Sequence, residues 1–65
     1  MHARIQLDHA AYQAKVKTMT VEALRFTIAD ARAAIDAMPD GPKAGYYSDQ
    51  IHYCAMQLRA REHRN

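Results

Sequence analysis

The sequence predicts an all-α chain, on three observations. Alanine is abundant, while β-branched residues are scarce and only 2 Gly and 2 Pro occur in 65 residues; alanine is the strongest helix former and glycine and proline the weakest. Two stretches carry apolar side chains at alternating spacings of three and four, the period of one helix face. A cluster of turn formers, "MPDGPKAG" at residues 38–45, stands between them.

The first 19 residues are expected to form a short helix that folds back on the rest, with a partly disordered arm as the alternative. Ile5, Tyr12, Val16 and Met19 fall on one helical face, and Asp8 is placed to cap a helix from about residue 9 to residue 17. Lys15 and Lys17 are expected in solvent.

A second helix is expected over 20–38. Thr20 suits its N-cap, and Glu22 brings a negative charge to the first turn, where it complements the helix dipole. Val21, Leu24, Ile28, Ala31, Ile35 and Met38 follow spacings of 3, 4, 3, 4 and 3, an unbroken seam. Phe26, Ala29, Ala33 and Ala37 are expected to widen that seam. Arg32 and Asp36 lie four apart on the polar side, a pairing worth a few tenths of a kcal/mol.

The turn is expected at 39–41. Pro39 disfavours helix in the residue before it, Asp40 and Gly41 suit a tight turn, and Pro42 suits the first position of the next helix. That helix is expected over 42–62, with a tail at 63–65. Ala44, Tyr47, Ile51, Cys54 and Leu58 repeat at 3, 4, 3 and 4 as a second seam. Gly45 is expected to let another backbone come close, and Arg59, Arg61 and Arg64 fall near the C-terminus, where cations suit the dipole. So short a turn makes the two long helices an antiparallel hairpin.

The chain is at most one domain, 1–65, and small domains bury a modest share of their surface. A single cysteine forms no intrachain disulfide and suits a reducing compartment, most simply the cytosol. Apolar runs are too short for a membrane span, and the first residues lack the apolar stretch of a signal peptide. A formal charge of +2 is far below the cationic density of a dedicated nucleic-acid binder. The hairpin seam is thin for a free monomer, so the N-terminal helix is expected to complete a three-helix fold or a second chain to complete a bundle.

The densest chemistry lies in "KAGYYSDQIHYCAMQLRAR", residues 43–61, and it does not read as catalytic. His52 and Cys54 are two apart, about 200° around a helix, so one ion cannot take both; His2, His9 and His63 could join only through tertiary contacts. Cys54 lies on the apolar seam with Ile51 and Leu58, where a thiol acts as a small hydrophobe. Neither a metal nor any other cofactor is expected. Opposite that seam, Asp49, His52, Met56, Arg59 and His63 recur at 3, 4, 3 and 4, flanked by Tyr46, Gln50 and Tyr53. Tyr, Met and Arg are enriched in protein interfaces, so Tyr46, Asp49, His52, Tyr53, Met56 and Arg59 form the expected partner-binding face. Arg59, Arg61 and Arg64, with Lys15 and Lys17, also make a basic end that a symmetric dimer would join into one stripe for nucleic acid, although Asp8, Asp49 and Glu62 interrupt it. Histidines near the C-terminus leave room for pH sensitivity below about pH 6.5.

The stretch from Thr20 to Arg61, "TVEALRFTIADARAAIDAMPDGPKAGYYSDQIHYCAMQLRAR", resembles small helical proteins encoded in tailed-bacteriophage genomes. "GYYSDQIHYCAMQL", following a Pro-x-Gly-Pro-Lys turn, carries the resemblance, which covers about two-thirds of the chain. Such proteins with assigned roles are often accessory factors that bind and redirect or block a host protein. The resemblance thus implies a non-enzymatic binder of a bacterial host enzyme or defence complex, and it assigns no catalytic residue. The expected function is a small protein-interaction module, with a dimeric nucleic-acid-binding or transcription-modulating protein as the alternative.

Overall fold

A computed structural model of the chain describes residues 7–62, and within them the protein is all-α. Three helices follow in order: α1 (His9–Thr18), α2 (Val21–Ala37) and α3 (Ala44–Glu62). Ile5, His2, His63, Arg64 and the expected tail lie outside the described residues.

The helix ends are built as their residues dictate. Asp8 caps α1, its carboxylate accepting from the Ala11 N–H at 3.2 Å. Leu7 and Tyr12 occupy the two positions of a hydrophobic staple around that cap, and both enter the core. Thr20 caps α2 by accepting from the Ala23 N–H at 3.0 Å, with Glu22 in the first turn. Met38 ends α2, its N–H shared between the carbonyls of Ala34 and Ile35, before Pro39 forbids another turn. α3 begins at Ala44, two residues later than the proline spacing predicts. Ala44 donates to the Gly41 carbonyl, so Pro42 and Lys43 are the middle of a tight turn, and the first full helical bond runs from Tyr47 to Lys43.

α2 and α3 pack along each other as an antiparallel hairpin: Ala37 and Ala34 lie beside Ala44 and Tyr47, Thr27 and Asp30 beside Tyr46 and Gln50, and Leu24 beside Cys54. α1 runs parallel to α3 and rests on it, scarcely touching α2. The core therefore sits where all three elements converge. Leu7, Tyr12, Val16, Leu24 and Cys54 form it, with Met19, Ile28, Tyr46, Tyr53 and Leu58 packed around them. Leu24 and Cys54 are fully buried.

Three expectations about the hairpin are corrected. The seam of α2 holds in the middle, where Leu24 and Ala31 are buried, but its end residues Val21 and Met38 are exposed. A strict seven-residue pattern drifts about 20° per heptad on a straight helix, which turns the ends off the contact line. Phe26, Ala29, Ala33 and Ala37 do not widen the seam: they are exposed, Phe26 to 71%. They lie about half a turn away from Leu24 and Ala31, and α1 packs on α3 instead of covering them. Gly45 admits no close backbone either, since a Cβ built there meets nothing within 4 Å. The glycine under steric constraint is Gly41, where a Cβ meets the Met38 side chain at 2.8 Å and its carbonyl oxygen at 3.2 Å.

Candidate functional site

The face expected to meet a partner is divided by α1. Because α1 lies along one side of α3, it reaches Asp49 and Tyr53 but leaves His52, Met56 and Arg59 exposed. Tyr53 is half-buried against the core; its hydroxyl is hydrogen-bonded to His9 Nδ1 at 2.8 Å, the imidazole tautomer deciding which group donates. The His9 and His52 rings stand edge-on to the Tyr53 ring at 5.7 and 5.5 Å, and Tyr12 tilts against it at 6.2 Å. Asp49 Oδ2 lies 3.9 Å from His9 Nε2, within ion-pair reach when the imidazole is protonated. Tyr46 is half-buried as well, packed on the core and edge-on to Tyr47 at 5.7 Å. Asp49 and Tyr53 thus belong more to the joint between α1 and α3 than to a free surface, while Tyr46 packs on the core beside Thr27 and Asp30 of α2. No local sequence signal announces this, because His9 stands 40 residues from Asp49 and 44 from Tyr53 along the chain and meets them only in space.

The buried centre of the joint is a polar contact in an apolar setting. The Tyr12 hydroxyl and the Cys54 thiol are hydrogen-bonded at 3.4 Å. Burial above all pushes the Tyr12 phenol well above the ordinary tyrosine range; the hydrogen bond to Cys54 and the charges of Cys54 and Tyr46 act in the same direction. A neutral phenol is therefore held in the core, where its hydroxyl has the partner that a buried polar group requires. Cys54 and His52 diverge, one fully buried and the other exposed. Among the described residues no three His, Cys, Asp or Glu side chains gather as metal ligands.

The basic end is also reorganised. Arg61 is half-buried, and its Nη2 donates to the carbonyls of Val16 at 3.3 Å and Lys17 at 3.4 Å. These are among the last carbonyls of α1, which have no partner within their own helix. Thr18 Oγ1 donates to the Lys15 carbonyl at 2.8 Å and the Met19 N–H to the Val16 carbonyl, so one local side chain, one backbone N–H and a distant arginine together finish the helix. Arg59 remains the exposed cation of the three that were expected to contact nucleic acid, and Arg64 lies outside the described residues.

What stays open on this side is a recess of about 280 Å³ between α1 and α3. Gln13, Val16 and Lys17 line one wall, and Tyr53, Met56, Gln57 and Ala60 the other. Met56, 52% exposed, stands at its edge and links it to His52 and Arg59. No helix among the described residues is long and apolar enough to cross a membrane. No protein-family model, curated protein or solved structure matches the chain.

Proposed function

We propose that the chain is a small, non-enzymatic protein-interaction module that docks a partner protein on the exposed side of α3. The observation that carries this reading is Met56: a large, flexible apolar side chain 52% exposed beside an open recess, on a helix fixed from behind by fully buried Cys54. Methionine adapts its shape to irregular surfaces. His52 and Arg59 frame it one turn away on either side, supplying a ring and a guanidinium, and interfaces favour arginine at their hot spots. The mechanism is steric: a preordered helix face covers a working surface of the target at little cost in ordering. The resemblance of residues 20–61 to bacteriophage accessory proteins directs the search for that target to bacterial host enzymes and defence complexes, in the cytosol.

The test is capture from bacterial lysate with the wild-type chain and with Met56→Ala and Arg59→Ala, at low and high salt, with and without nuclease. A protein held at high salt by the wild type, insensitive to nuclease and lost by both variants, supports the reading. Retention abolished by nuclease, or falling steeply with salt as phosphate contacts do, overturns it in favour of nucleic acid. Tyr53→Ala is unsuited to this purpose, because Tyr53 is packed into the core.

A further inference from the structure

Phe26 is the most exposed of the large apolar side chains on the described residues. It shares the outer face of α2 with Ala29, Ala33 and Ala37, all exposed, at spacings of 3, 4 and 4. Further along the same helix an apolar recess of about 360 Å³ opens beside Ala34, Ala37 and Met38, with Pro42, Ala44 and Tyr47 across from them. Ala37 belongs both to the exposed stripe and to the wall of the recess, so the recess opens beside the face on which Phe26 stands. α2 thus carries an apolar knob toward one end and an apolar hole toward the other.

We propose that a second copy of this chain docks here, α2 against α2 in antiparallel order, each Phe26 entering the other copy's recess. A two-fold pairing makes such a contact twice with one surface. The register follows from the residues: Phe26 against the span from Ala34 to Met38 places the two-fold axis between Asp30 and Arg32, near the middle of α2. The same register sets Arg25 of each copy opposite Asp36 of the other. These two residues lie on one flank of the stripe, and in an antiparallel pair like flanks face each other. The alanines between allow the backbones to approach closely. A phenylalanine buries about 150–250 Å², so two of them supply a large part of the roughly 1,000 Å² that a specific interface needs. This surface is separate from the Met56 face, and neither reading depends on the other.

The experiment is analytical ultracentrifugation of the full chain over a concentration series, with Phe26→Glu, Arg25→Asp, and Arg25→Asp combined with Asp36→Arg. A reversible dimer is expected. Phe26→Glu should weaken it at least about thirty-fold, the effect of losing a hot-spot aromatic, with helical circular dichroism unchanged because the side chain is exposed. Arg25→Asp should weaken it, and the double charge exchange should restore it. A strict monomer at millimolar concentration overturns the proposal, as does a dimer indifferent to Phe26→Glu, and failure of the charge exchange to restore association overturns the antiparallel register. Met56→Ala should leave the dimer intact; a dimer lost with Met56 would place self-association on α3 and overturn the α2 assignment.

Discussion

The Tyr12 hydroxyl and the Cys54 sulfur lie 3.4 Å apart, hydrogen-bonded in the buried centre where α1 meets α3. The pair ties the first helix to the last, and its chemistry predicts how the fold responds to alkali. Because the folded phenol titrates above the ordinary tyrosine value of about 10, the folded state keeps a proton that the unfolded state gives up. Stability should therefore be unaffected by Tyr12 below about pH 10 and fall as pH rises beyond it, by at most about 1.4 kcal/mol per pH unit. Urea midpoints at pH 8 and pH 11 check this. The wild type should lose more between them than Tyr12→Phe, and equal losses would refute the assignment to Tyr12.

Leu24 fills the centre of the core with no exposed surface. Leu24→Ala should cost about 2–5 kcal/mol, much of the stability a domain of this size possesses. Met56→Ala, on the surface, should change stability by less than about 0.5 kcal/mol. Chemical denaturation of the two variants side by side makes the comparison, and it also certifies Met56→Ala as a folded probe of binding.

Arg61 finishes α1 from the far end of the chain, so its loss should be felt locally. Arg61→Gln should lower the opening free energy of α1 by about 1 kcal/mol, the scale of a net hydrogen bond, while the α2–α3 hairpin keeps its protection. Native-state hydrogen exchange resolves this. A uniform rise in exchange across all three helices would show that α1 does not open as a separate unit.

The two glycines should respond to alanine with opposite signs. At Gly45 the new methyl meets nothing and φ is not positive, so Gly45→Ala should stabilise by about 0.4–1 kcal/mol through the unfolded chain. At Gly41 the methyl presses on Met38, whose exposed side chain can move but whose carbonyl must also give way while accepting from the Gly41 N–H. Gly41→Ala should therefore destabilise. Thermal unfolding of both variants reads the difference, since 1 kcal/mol shifts the midpoint of so small a domain by about 4–8 °C.

Local chemistry along the chain was enough to place all three helices to within about two residues at each end. The Asp8 and Thr20 caps, the proline after Met38 and the three-four spacing of Leu24, Ile28 and Ala31 each act within a few residues, so their consequences are written in order along the sequence. Cys54 could be read as a buried hydrophobe for the same reason. The positions of Tyr53, Asp49, Arg61 and Phe26 could not be read in this way. Each depends on where α1 lies, and α1 rests on α3 through His9, Tyr12 and Arg61 across separations of some forty residues. Periodicity assigns a residue to a face of its own helix, but burial depends on which neighbour covers that face. One helix docked on α3 turned Tyr53 into a packing residue and Arg61 into a cap, and by leaving the outer face of α2 uncovered it exposed Phe26 to solvent.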